Sequence, residues 1–313
     1  MPRCSVPSAR RWRGRSRATS RSHSRPTSGC TRSNGRVGGR RRESGVELTE
    51  LVGAAVRGGL GWGAETLARL RQRSGIDGPR PCDGLILDVD DTLVDTDAAL
   101  RTAARAAALE VWPTTSAAVR EGFAELFLAD PEGVFGRYTV GELRFHEMRK
   151  ARIAVAAERS GLLWEARRYR RFCSGFDPAF AAAQHLFPDA MPAVVAAERW
   201  GIAVVLLTNS SSPATRMKLQ VLGVADRFEH VVTTDTLGIG KPDPSVFLHA
   251  CELAGAAPEA CVAVGDNYRN DVAAAREAGL RGLWLDRTGR GVAGEPPAIR
   301  SLAELPAALT RAV

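Results

Sequence analysis

Five short apolar runs, alternating with segments of helical periodicity, constrain this chain of 313 residues more than any other feature. They are GLILDV (84–89), IAVVLLT (202–208), HVVTT (230–234), CVAVG (261–265) and GLWL (282–285). Each is apolar at its centre and bounded by turn residues, as a strand buried on both faces requires. Segments 213–222, 244–254 and 270–278 place apolar residues at helical spacing between them. Strands and helices in alternation build a parallel sheet covered on both faces, so the expected fold class is α/β, a doubly wound parallel sheet. Reactive residues of such sheets gather at the carboxyl ends of the strands.

The interval between the first two runs is too long for one crossover. Within it, 97–112, 116–128, 139–160 and 164–172 read as helices, which predicts an inserted α-helical cap domain over 97–186. The core domain is then made of 83–96 and 187–313. Ahead of it lies a lead-in, 46–82, interrupted by Gly58, Gly59, Gly61 and Gly63.

Net charge misleads until it is divided along the chain. The formal +8 suggests a nucleic-acid or membrane partner. Residues 1–42 hold 13 of the 40 arginines and no acidic residue, leaving 30 basic against 35 acidic side chains elsewhere, a net −5. That Arg/Ser/Gly-rich stretch contains no Leu, Ile or Phe, so a disordered tail is expected over 1–45. An organellar targeting segment, a nucleic-acid-binding arm, an idle tail and sequence upstream of the true start all fit it, the last two best. Nucleic acid is not expected as a partner of the folded body. No run of roughly 18 apolar residues occurs, so no membrane partner is expected. The six cysteines show no Cys-x-x-Cys spacing, which leaves a reducing cytoplasm as the expected location.

Four polar clusters follow the strand ends. In Asp88-Val89-Asp90-Asp91-Thr92, alternation along an extended chain points Asp88 and Asp90 to one side. Three carboxylates so close repel one another; they suit Mg²⁺, or form an acidic turn before a helix. Thr208-Asn209-Ser210-Ser211-Ser212 precedes a helix and reads equally as a phosphate cradle or a plain N-cap. Lys241, in GIGKPDP, is one of three lysines, with Lys150 and Lys218, in an arginine-dominated chain. It reads as a neutraliser of phosphoryl oxygen or as a surface lysine. Asp266 and Asp271, in GDNYRND, read as further metal oxygens or, for Asp271, as part of a helix cap.

Taken in order, LILDVDDTLVDT, TNSSS, GIGKPDPSVF and VGDNYRNDVAAAREAG resemble the four motifs of the haloacid dehalogenase superfamily. The match is to subfamily I, with a helical cap inserted after the first motif, and covers about residues 83–287. The resemblance implies a Rossmann-like core and a Mg²⁺-dependent hydrolase of small phosphorylated metabolites. It gives Asp88 the role of nucleophile, forming an aspartyl-phosphate, and Asp90 that of acid and then base. Thr208 and the Asn209 backbone would hold phosphoryl oxygens, and Lys241 would balance charge. Mg²⁺ would be bound by Asp88, the Asp90 main-chain carbonyl and Asp266, supported by Asp271. Asp91 stands where glycine is most frequent, as in members resembling 5′-nucleotidases and acylneuraminate-9-phosphatases.

Three alternatives carry different chemistry: a phosphomutase of the β-phosphoglucomutase type, a 2-haloacid dehalogenase, and a non-enzymatic scaffold whose tail binds nucleic acid. Dehalogenases of this family lack the second aspartate, because halide leaves without a proton, and Asp90 is present here. Arg144, His146, Arg149 and Arg168–Arg171 are cap side chains able to meet an anion, or solvated helix faces. Neither the substrate nor the oligomeric state follows from the sequence.

Overall fold

β1 (Gly84–Leu87) is buried along its whole length, because it pairs with a strand on either side and is covered above and below. The computed structural model describes residues 80–289, 291, 295 and 299–311. The expected disordered tail, and the lead-in as far as residue 79, lie outside the described residues.

After β1 the chain passes through α1 (Thr96–Val111), α2 (Ala117–Ala129), α3 (Val134–Thr139), α4 (Phe145–Arg159) and α5 (Tyr169–Ala182) before α6 (Ala190–Arg199) leads to β2 (Ala203–Leu207). Then come α7 (Ser212–Val221), β3 (His230–Val232), α8 (Thr234–Leu237), α9 (Pro244–Ala254) and β4 (Cys261–Gly265). A π-helical turn, Tyr268–Ala273, runs into α10 (Ala274–Glu277), followed by β5 (Arg281–Trp284) and α11 (Leu305–Arg311). The sheet order is β3-β2-β1-β4-β5 and every pairing is parallel. Chain direction therefore reverses beside β1, and the carboxyl ends of β1, β2 and β4 meet at that switch point.

Alternation along β1 sorts the two cores. Leu85 and Leu87 join Ala193 and Val194 of α6 and Leu305 and Leu309 of α11. Ile86 faces the other way, toward Val246 and Phe247 of α9 and Ala274 of α10. The doubly wound α/β fold expected from the sequence is the one observed. Among the described residues no helix is long and apolar enough to cross a membrane, and Cys82, Cys173, Cys251 and Cys261 are free thiols.

The insertion has an apolar core of its own. Small Ala99, Ala103 and Ala107 on α1 let α5 approach so closely that a Cβ on Gly175 would lie 3.0 Å from the Ala107 Cα. Into the remaining space α5 sends Phe172, Phe176 and Phe180, stacked with ring centroids 5.4 and 5.6 Å apart. Two expectations need correction here. The helix expected at 139–160 begins only at Phe145, as α4; Thr139 ends α3, which was not expected, and Gly141, with φ 78°, lies in the break between them. The helix expected to stop at 172 runs as α5 to Ala182, because the Phe stripe continues at i+4 and Pro178 sits on the exposed side.

Two strands of chain link insertion and core. They are tied together where Asp95 N–H donates to His185 O (3.1 Å) and Phe187 N–H to Leu93 O (2.9 Å). Arg287 clamps the same place: it donates to both Asp189 carboxylate oxygens and to Thr92 O, and lies 3.8 Å over the Phe187 ring.

Candidate active site

Asp88 ends β1 inside the ladder, its N–H donating to Val264 O at 3.0 Å, so its carboxylate is fixed at the switch point. Lys241 arrives from the loop before α9 and is 3 % exposed. Its Nζ lies 2.6 Å from Asp88 Oδ1 and 2.6 Å from Asp271 Oδ1. Asn209 positions that lysine: Asn209 Nδ2 donates to Lys241 O (2.8 Å) and Asn209 Oδ1 accepts from Lys241 N–H (2.7 Å). The approach is so close that a Cβ on Gly240 would collide with the Asn209 amide. The expectation for Asn209 concerned its backbone; its side chain is engaged with the Lys241 backbone.

Asp271 lies in the π-helical turn and accepts from Asn267 N–H through its other oxygen (2.9 Å). It is packed over Gly265, where any side chain would overlap its carboxylate. Asp266 N–H donates to Thr92 Oγ1 (3.1 Å) and Asp266 O accepts from Trp284 Nε1 (2.8 Å), which anchors the turn after β4. Carboxylate oxygens of Asp88, Asp266 and Asp271 all lie within 4.8 Å of one another.

Three carboxylates facing one ammonium leave excess negative charge in a buried place. Burial, with repulsion from Asp271 and Asp90, pushes the Asp88 carboxyl up to about 7 although Lys241 opposes it. Burial and the neighbouring Asp88, Asp271 and Asp91 push Asp266 up to about 9. Burial would pull Lys241 down, but Asp271 and Asp88 outweigh it and hold the ammonium above its usual range. A compact all-oxygen donor set that resists full ionisation fits a hard divalent cation such as Mg²⁺.

The Asp90 side chain stands outside that cluster. Its Oδ1 accepts from Thr96 Oγ1 (2.6 Å) and from Lys218 Nζ. Its Oδ2 accepts from Thr208 Oγ1 and Ser210 Oγ, each at 2.9 Å. Burial alone would raise this carboxyl; Lys218, with hydrogen bonds from Thr96 and Ser210, holds it below the usual range. Thr208, expected to hold a phosphoryl oxygen, donates its hydroxyl to Asp90 here. Asp91 takes the left-handed conformation (φ 58°) and accepts from Asp97 N–H (2.8 Å), which starts α1. Burial and the nearby Asp97 push it up to about 7.

Sequence reasoning missed Lys218. The available signal was a lysine on the inward stripe of α7, beside buried Thr215 and Leu219, where the helical pattern demands an apolar side chain. The insertion meets the site through α3: Gly240 N–H donates to Thr139 O (2.9 Å), and the hydroxyls of Tyr138 and Thr234 are 2.6 Å apart. Arg149, Arg168 and Arg171 pair with Asp177, Glu165 and Glu110, all within the insertion.

The family model described as haloacid dehalogenase-like hydrolase matches residues 82–279. A phosphoserine phosphatase of Thermus thermophilus is 44 % identical over 102 residues, 33 % of this chain and 41 % of its own. A phosphoglycolate phosphatase of Chromobacterium violaceum is 33 % identical over 154 residues, 48 % of this chain and 67 % of its own. The chain thus spans between about two fifths and two thirds of the length of these relatives. A hydrolase of the same superfamily from Bacillus subtilis, solved with magnesium bound, superposes with a TM-score of 0.60 at 20 % identity, covering 73 % of this chain and 98 % of that one. Solved structures similar in fold include both phosphatases and dehalogenases.

Proposed function

We propose, from the premise that the chain belongs to the haloacid dehalogenase-like hydrolases, that it hydrolyses phosphate monoesters of small metabolites through an aspartyl-phosphate on Asp88. The observation that carries this reading is Asp88 itself: a buried carboxylate at the sheet's switch point, held by Lys241 at 2.6 Å beside Asp266 and Asp271. An Asp88 oxygen attacks phosphorus and the bond to the leaving oxygen breaks. Asp90, which must first take up a proton against the donors that hold it ionised, gives it to the leaving oxygen; in the second step it takes a proton from the water that attacks phosphorus, and the bond to Asp88 breaks. Lys241 offsets the charge of nucleophile and phosphoryl group, and the Thr208 and Asn209 segment cradles the phosphoryl oxygens. Asp88, Asp266, the Asp90 main-chain carbonyl and, in support, Asp271 would hold Mg²⁺, which when bound would add screening between the anions that must meet.

Residues 97–186 act in this reading as a cap that excludes water and selects the substrate, over a core of 83–96 and 187–313. The relatives are named for phosphoserine and phosphoglycolate, both small phosphate esters carrying a carboxylate. Esters of that kind are the first substrates to try, and the cytoplasm is the matching location. Carbon–halogen cleavage is disfavoured because a departing halide needs no proton, which would leave Asp90 and its four donors without a task.

The test is phosphate release from a panel of small phosphate esters. Release is expected with Mg²⁺, with loss on adding EDTA and in Asp88→Asn. Full activity in Asp88→Asn would rule the reading out.

A further inference from the structure

Lys218 is 2 % exposed at its side chain, and Leu219 beside it shows what the inward face of α7 otherwise accommodates. Burying an ammonium is costly, and replacing a buried ion pair with apolar groups is often neutral or stabilising. A lysine at this position is therefore poorly explained by stability. Its Nζ binds Asp90 Oδ1, lies 3.4 Å from Ser210 Oγ, and sits 5.5 Å from the centroid of Phe180 on α5. Met217, the preceding residue, packs against the insertion's own apolar cluster. Helix α7 is thus the core helix on which α5 rests, and Lys218 touches both α5 and the proposed acid. As held, each Asp90 oxygen accepts from two donors, which saturates the carboxylate. To reach a leaving oxygen, Asp90 must exchange at least one of them.

We propose that Lys218 is the positioning residue of Asp90, and that its contact with Phe180 ties the orientation of that carboxylate to the helical insertion. The inference rests on the phosphatase reading, and its test separates the two. Esters with a poor leaving group, such as an alkyl phosphate, need Asp90's proton; p-nitrophenyl phosphate, whose leaving group is stable as an anion, scarcely does. Both esters share the second step, so the readout is kcat/KM, which reports transfer to Asp88: Lys218→Met is expected to lower it for the alkyl ester by about tenfold or more and for p-nitrophenyl phosphate by less than about threefold. Phe180→Leu shifts the ratio the same way, by less. On an Asp90→Asn background Lys218→Met adds no further loss on the alkyl ester.

An unchanged alkyl-to-aryl ratio in Lys218→Met, or an independent further loss on the Asp90→Asn background, overturns the assignment. Should Lys218→Met not fold, as read by circular dichroism, Phe180→Leu and the Asp90→Asn, Lys218→Met double variant carry the test, because the double variant leaves no charge unpaired. Wild-type protein inactive on every ester would instead refute the phosphatase reading.

Discussion

Asp88 and Asp271 compete for one ammonium while Asp266 faces both, and this competition sets how the site responds to pH. Carboxyls that stand at about 7 and about 9 in the folded, metal-free protein stand near 3.8 when unfolded. Between those values the folded state binds more protons, so its stability falls as pH rises from about 4 to about 9. Mg²⁺ binds the ionised form and removes the penalty, and the Tm gained from saturating Mg²⁺ is expected to be larger at about pH 8 than at about pH 5.5. Thermal melts at the two pH values, with and without the ion, check this; an equal gain would contradict it. At this scale the sequence singled out Asp88 and Asp266, which directly follow β1 and β4, and Lys241 and Asp271, which lie in the polar segments after β3 and β4. It hid the work of Asn209 and Lys218, since an amide that braces a backbone and a lysine that faces inward have no local signature. Only the tertiary approach of α7 to β1 brings Lys218 and Asp90 together across 128 residues.

Strands were more legible than helices at the level of elements. A buried parallel strand is a continuous apolar run, and all five were found within two residues of their observed ends. Helix boundaries in the insertion depend on packing between α1 and α5, which periodicity alone does not disclose. The Phe stripe of α5 makes that packing testable. Phe176 is 2 % exposed, stacked between Phe172 and Phe180 and edge-on to Phe127 at 5.7 Å. Phe176→Ala is expected to cost about 3–5 kcal/mol, measured by chemical denaturation. A loss under about 1 kcal/mol would mean that the insertion does not depend on this stack.

The described residues form a sheet that gathers reactive groups at the carboxyl ends of its strands and an insertion that meets them there. Arg287 fastens the hinge to Thr92 O, and Thr92 Oγ1 in turn holds Asp266 N–H, so hinge and acidic cluster share a residue. Thr139 O, accepting from Gly240 N–H, and Phe180, over Lys218, bring α3 and α5 to the same site. Every one of these contacts lies near the ends of β1, β2 and β4, where Asp88, the proposed nucleophile, sits. The most direct measurement is therefore chemical trapping at that residue. Protein quenched during turnover of a phosphate ester and reduced with borohydride should yield homoserine at position 88 by peptide mass spectrometry, because an acyl phosphate is reducible and a free carboxylate is not. Unmodified Asp88 under turnover, with the label at another carboxylate or at none, would contradict the account.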